Sequence, residues 1–256
     1  INERECNQRL GFREIWYHAI ANTDDIMQLP HLRRQKRTID LSSIAGRFST
    51  GVASINATVE PRAVYWDQWN KANLSGDGPL WIALGDSVTQ GIGSSKPQTS
   101  YAHIVLERLR TRTGKDWRLI NLSMSGGRFL DVVERQLPII EDYQLQPSLV
   151  TTIIGSNDLM WRRDKESILN DAKRTINSLP PGSYLSQVSA ARKGKRAMVS
   201  SAINHHAPIR GIHLFNAWDW PTGEGMWAED RFHPNDEAYK YIANNLWTSL
   251  VKNLLI

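Results

Sequence analysis

The sequence predicts an α/β fold, a mostly parallel central sheet covered by helices and preceded by an N-terminal extension. Three observations carry this. From Pro79 onward short apolar runs alternate with amphipathic segments, the pattern of parallel strands joined by crossover helices. Leu149–Ile154 is a near-continuous β-branched run, as in a strand buried on both faces. The apolar run Trp81–Leu84 breaks abruptly into Gly85-Asp86-Ser87, as a buried strand does when it feeds a tight turn.

Residues 1–78 show no such alternation. Phe12–Ile20 and Ile26–Leu32 read as short helices, Arg47–Val59 is rich in Ser, Thr, Gly and Ala with β-branched residues, and Asn73–Pro79 is dense in turn formers. The expected division is an extension over 1–78 and a main domain over 79–256. After the opening strand, Tyr101, Val105 and Leu109 make one apolar helical face, which Gly114 stops. Trp117–Leu122 is the second strand. Gly126-Gly127 turns into a helix with Phe129, Val132, Val133 and Leu137 on one face, and Pro138 is expected to end it. Leu149–Ile154 is the third strand and stops at Gly155-Ser-Asn-Asp158. A charged helix follows over Arg163–Leu179, then a weakly marked strand at Tyr184–Val188 and a helix to about Asn204. Gly211–Phe215 is the fifth strand. The last helix begins after Pro234, with Asn235 placed to cap it and Tyr239, Ile242, Leu246 and Leu250 on its buried face.

Composition bounds the classes. A chain of 256 residues suits one mid-sized domain, or one domain with a substantial extension. The single Cys6 excludes an internal disulfide. The net charge of +5 is partly local to His31–Arg37, which reads as a solvated face. No nucleic-acid partner is expected, and contact of 31–37 with a membrane or other acidic surface is the minority reading. The first residues lack the cationic start and apolar core of a signal peptide, so a cytoplasmic location is expected, with an exported mature form still compatible.

The chemistry lies in the turns after the strands. Three successive strand ends carry Gly85-Asp86-Ser87, Ser125-Gly126-Gly127 and Gly155-Ser156-Asn157-Asp158, and beyond the fifth strand comes Asp230-Arg-Phe-His233-Pro. In a parallel sheet these four sites share one edge. A serine hydroxyl needs an imidazole to take its proton. His233 can serve near neutral pH, and Asp230, three residues earlier, can hold the far ring nitrogen. The N–H groups of Ser87 and Gly126 and the amide of Asn157 suit an oxyanion.

These blocks, Gly85-Asp-Ser-Val-Thr-Gln-Gly91, Asn121-Leu-Ser-Met-Ser-Gly126, Gly155-Ser-Asn157-Asp158 and Asp230-Arg-Phe-His233-Pro, resemble in order those of the SGNH (GDSL-type) hydrolase superfamily. The resemblance covers about Pro79 to Ile256. It implies a flavodoxin-like three-layer sandwich and ester hydrolysis through an acyl-serine, without metal or cofactor. Carried over by position, it makes Ser87 the nucleophile, His233 and Asp230 its triad partners, and Ser87, Gly126 and Asn157 the oxyanion hole.

Other features read as structural. Asp86 and Asp158 suit turn and capping roles, and His205-His206 has no Cys, Asp or Glu partner at ligand spacing. Gly91-Ile-Gly93 is too short for a dinucleotide fingerprint, and no Gly-x-Ser-x-Gly elbow occurs. Trp161, Trp218, Trp220 and Trp227 flank the catalytic turns as candidate pocket walls or core. The expected activity is hydrolysis of carboxylic esters of short or medium acyl chains, the partner being a small-molecule ester. The alternatives are an acyltransferase or a carbohydrate O-acetylesterase using the same triad, and a surface-binding protein with a vestigial site.

Overall fold

The three central strands are buried along their whole length, and burial on both faces requires helices on both sides of the sheet. The computed structural model of the chain describes residues 29–33, 50–160, 163–189, 191–221 and 225–254. In it β1 (Leu80–Gly85), β2 (Arg118–Asn121), β3 (Leu149–Ile153), β4 (Tyr184–Ser186) and β5 (His213–Phe215) form one sheet in the order β2-β1-β3-β4-β5. Every pairing is parallel. The chain moves outward from β1 in both directions, so the crevice between the carboxyl ends of β1 and β3 is the switch point where such sheets bind ligands.

Two compact units divide the chain, Ile1–Pro30 and His31–Ile256, and all elements described here belong to the second. Helix α1 is Thr50–Asn73; α2 (Ser87–Gln90) and α3 (Tyr101–Thr113) follow β1. After β2 come α4 (Phe129–Asp131), a π turn (Val132–Gln136) and α5 (Leu137–Asp142). Then α6 (Ser156–Met160) and α7 (Lys165–Ser178) follow β3, α8 (Gly194–Ile209) follows β4, and α9 (Asp236–Leu254) closes the fold. On one face Tyr101, Val105 and Leu109 of α3 and Tyr239, Ile242, Leu246 and Leu250 of α9 share a fully buried cluster with Trp81 and Ala83 of β1. The pleat turns Ile82 and Leu84 the other way, toward the side where α7 buries Ile168, Ala172 and Ile176. The predicted alternation thus appears as a three-layer fold, with the weakly marked fourth strand present.

Three sequence expectations need correction. Pro138 does not end its helix. The π turn at Val132–Gln136 shifts the hydrogen bonds to longer span, with Leu137 N–H reaching Val132 C=O, and Pro138 then falls in the first turn of α5, where no N–H is needed. The helix after β4 runs past Asn204 to Ile209, taking Pro208 into its last turn. Of the Ile26–Leu32 helix, Leu29–Leu32 carries no helix, as Pro30 disfavours helical backbone before it; residues 26–28 and the Phe12–Ile20 helix lie outside the described residues.

The largest addition to the sequence reading is α1, which covers the outer edge of β2. Asn70 pairs both ways with the backbone of Asn121, donating to its C=O and accepting its N–H, each at 2.8 Å. Trp69 Nε1–H donates to Leu119 C=O at 3.0 Å. Side chains of α1 therefore occupy backbone groups that an open edge strand leaves free. Trp66 donates to Gln90 C=O at 2.9 Å and is 2% exposed. Tyr65 meets Nε2 of His103 at 2.9 Å, and burial pushes that imidazole down to about 4. His31 and Arg33 of the basic cluster pair with Asp67, and Arg33 also with Glu60, so this part of the cluster is spent on α1. Arg34, Lys36 and Arg37 lie outside the described residues. Among the described residues no helix is long and apolar enough to cross a membrane.

Candidate active site

Ser87 is the first residue of α2, immediately beyond the end of β1. Asp86 caps this short helix, its Oδ1 accepting the Val88 N–H at 3.0 Å. As the first helical residue Ser87 has no intrahelical acceptor for its own N–H. Its Oγ lies 2.9 Å from His233 Nε2, and His233 Nδ1 lies 2.5 Å from Asp230 Oδ2. The second oxygen of Asp230 accepts the N–H groups of Phe232 and His233, both at 3.0 Å. Burial works to raise the Asp230 carboxyl, but hydrogen bonds from the His233 ring and these two N–H groups hold it below the ordinary carboxylate value. Asp230 is then ionised at neutral pH and accepts from Nδ1–H. That tautomer leaves the Nε2 lone pair facing the serine hydroxyl.

The loop carrying His233 is tied down on every side. Ala228 N–H donates to His233 C=O at 2.8 Å, and Asn235 N–H to Met226 C=O at 3.1 Å. Asn235 Oδ1 accepts the N–H groups of Glu237 and Ala238, the cap expected of it. Asp236 accepts from Ser95 N–H, Ser95 Oγ and Thr99 Oγ1 at 2.6–2.8 Å, joining the start of α9 to the loop beyond Ser87. Gly93 in that loop has φ 95°, and a Cβ there falls 2.4 Å from Pro234 O and 2.8 Å from His233 Cβ. Only glycine lets the two loops approach this closely.

The remaining predicted residues converge on the same sheet edge. Gly126 has φ 75° in a turn closed by Gly127 N–H donating to Met124 C=O at 3.0 Å. Ser125 Oγ donates to Gln90 Oε1 at 2.7 Å, and Gln90 Nε2 donates to Ser123 C=O at 3.1 Å, so Gln90 of α2 fixes this loop against the serine turn. Asn157 donates one amide hydrogen to Gly127 C=O at 2.9 Å, which leaves its second amide hydrogen for a ligand. Asp158 is fully buried, accepts the Phe129 N–H at 3.0 Å and pairs with Arg163, so it clamps the third turn to the second. Burial pushes Asp158 up to about 6 and Asp86 up to about 7.

Sequence reasoning missed Gln136. The π turn aims its fully buried side chain at Gly85, accepting the Gly85 N–H and donating to the Gly85 C=O, each at 2.8 Å. The available signal is a polar residue at a position in register with the apolar face of Phe129, Val132 and Val133. His205 and His206 lie at the end of α8, away from these turns. Trp161 lies outside the described residues. Trp218, Trp220 and Trp227 stand together, with ring centroids 5.4 Å apart for the first pair and 5.8 Å for the second. They wall a cavity of about 400 Å³ that also takes in Ser156 beside Asn157 and Arg231 and Phe232 between Asp230 and His233.

The profile described as the GDSL-like Lipase/Acylhydrolase family matches residues 83–241. No curated protein matches the chain in sequence. Solved structures of similar fold include the psychrotrophic esterase EstA from a Pseudoalteromonas species, 20% identical over 69% of this chain and 99% of that one, with a TM-score of 0.57. A family 3 carbohydrate esterase of Clostridium thermocellum is 17% identical over 70% of this chain and 98% of that one, TM-score 0.56. The acetylxylan esterase Axe2 of Geobacillus stearothermophilus is 18% identical over 68% of this chain and 95% of that one, TM-score 0.52.

Proposed function

The chain belongs to the GDSL-like lipase/acylhydrolase family and is an ester-hydrolysing enzyme, and from that premise we propose that it is a serine esterase working through an acyl-Ser87 intermediate. The observation that carries this reading is the unbroken line of hydrogen bonds from Ser87 Oγ through His233 to Asp230. His233 takes the Ser87 proton as Oγ attacks the ester carbonyl, and Asp230 stabilises the imidazolium that forms. The tetrahedral oxyanion sits against the N–H groups of Ser87 and Gly126 and the second amide hydrogen of Asn157. Collapse expels the alcohol, which receives its proton from His233 Nε2. Water then attacks the acyl-enzyme with His233 again as base, releasing the carboxylic acid.

Residues 79–256 carry this chemistry, and the 1–78 segment contributes α1 as a brace on the sheet edge. A narrower reading, hydrolysis of acyl esters on carbohydrate, is favoured by the tryptophans lining the cavity next to the His233 loop, because ligand sites are walled by aromatic side chains and indole faces pack well on the C–H faces of sugar rings. The test is hydrolysis of simple aryl acetates and of acetylated sugars by wild type and Ser87→Ala. The reading requires turnover by wild type and none above background by the variant; turnover retained in Ser87→Ala removes Ser87 from the mechanism.

A further inference from the structure

The cavity beside the His233 loop is lined by both aromatic and cationic side chains. Trp218, Trp220, Trp227 and Phe232 form its apolar wall, while Arg196 of α8 and Arg231 of the His233 loop also line it. Neither guanidinium makes a hydrogen bond or ion pair among the described residues, and no acidic side chain among them lines the cavity. Several other arginines pair with acids: Arg33 with Glu60 and Asp67, Arg110 with Glu107, Arg163 with Asp158 and Asp171, Arg174 with Glu134. Arg231 also stands at φ 53°, a left-handed backbone that a long side chain adopts at a cost. That strained residue lies between Asp230 and His233, in a loop pinned by Arg231 N–H donating to Ala228 C=O at 2.9 Å.

Two uncommitted guanidinium groups in one aromatic cavity suit a ligand that is both flat-faced and anionic. Arginine's planar fork matches a carboxylate with two parallel hydrogen bonds. Which half of the ester lies here follows from the proton. The expelled oxygen must receive it from His233 Nε2, so whatever that oxygen carries extends from the histidine side, where Phe232 packs its ring 4.8 Å from the His233 ring. On these grounds we infer that the cavity holds the leaving-alcohol half of the ester, and that this half is a sugar ring bearing a carboxylate, held by Arg196 and Arg231. The substrate class is then an O-acylated uronic acid, free or within an acidic glycan. The inference rests on the serine-esterase reading above and narrows it.

The test compares mono-O-acetylated methyl glucuronoside with mono-O-acetylated methyl glucoside, with p-nitrophenyl acetate as a reference ester. Wild type is expected to favour the uronate in kcat/KM by about tenfold or more at low ionic strength, equivalent to about 1.4 kcal/mol. The preference is expected mainly in KM and shrinks as salt rises. Arg196→Gln and Arg231→Gln each lower this ratio several-fold, and the double variant brings it near one. A ratio between two substrates in one preparation is independent of how much of a variant folds. A wild-type ratio near one, or a ratio unchanged in the double variant, overturns the inference. So does hydrolysis of p-nitrophenyl acetate with neither sugar ester turned over, which leaves the esterase reading standing. Inactivity toward all three esters removes that reading and the inference together.

Discussion

Gln136 and Gly85, fifty-one residues apart, are joined by two hydrogen bonds of 2.8 Å, the side-chain amide of one matching the backbone N–H and C=O of the other. The Gly85 C=O has a second donor in Met124 N–H, but among the described residues Gln136 Oε1 is the acceptor shown for the Gly85 N–H. Gln136→Leu keeps the bulk and strands that buried N–H two residues before Ser87. The expected cost is about 1–3 kcal/mol of stability, read as a lower urea midpoint, together with a lower kcat as the serine turn loosens. A variant as stable and as active as wild type contradicts this positioning role.

Asp230→Asn tests the orientation of the imidazole. The asparagine oxygen can still accept from Phe232 and His233 N–H, so the loop is expected to fold. Its amide nitrogen then faces Nδ1, which favours the tautomer with the proton on Nε2, and that proton blocks the serine. The expected loss is about 10⁴-fold in kcat, by analogy with the same change in other serine-triad enzymes, with KM little altered. A loss below tenfold removes Asp230 from the triad.

The buried Asp86 makes a prediction about pH. Its folded carboxyl lies near 7, raised by burial, against about 3.9 in the unfolded chain. Between those values the native protein holds a proton that the unfolded chain has released, so stability falls as pH rises from about 4 to about 7. The slope is at most about 1.4 kcal/mol per pH unit from this group. Asp158, pushed up to about 6, acts in the same direction. Asp230 acts oppositely: its carboxyl is held down, so its contribution is full above the ordinary carboxylate value and is lost as pH falls below it. Asp86→Asn, which keeps a helix cap, is expected to flatten the decline in Tm between pH 4.5 and 7. An unchanged slope contradicts the raised carboxyl.

The turns of the candidate site were legible in the sequence because each is local. A strand end, a glycine and the polar residues after it are adjacent in the chain, and parallel pairing brings such ends to one edge without further information. Asn235 as cap and Tyr239, Ile242 and Leu246 as a buried face were legible for the same reason. What escaped depends on contacts distant in sequence. Helix α1 shows no apolar stripe at helical spacing and carries Pro61 in its interior; its buried face is made largely of Trp66, Asn70 and Arg62, whose partners are backbone groups more than twenty residues away. Gln136 escaped because a π turn is a shift in backbone hydrogen bonding with no fixed residue pattern. Pro138 reads as a stop in the sequence because only that shift makes room for it.

The cover that α1 gives β2 sets a further expectation. Deleting residues 1–78 removes Trp66, Trp69 and Asn70, which exposes the edge of β2 and the buried Asn121 N–H. The fragment 79–256 is expected to be recovered mainly as aggregate, and Asn70→Ala in the full chain to lose about 1–3 kcal/mol. A soluble, monodisperse and active 79–256 fragment contradicts this.

The most direct measurement is labelling of the folded protein with a fluorophosphonate probe, followed by mass mapping of the modified peptide in wild type and in His233→Ala. The relay from Ser87 through His233 to Asp230 predicts one modified residue, Ser87, in wild type and no labelling above background in the variant. Modification at another residue, or labelling of Ser87 at an undiminished rate without His233, contradicts it.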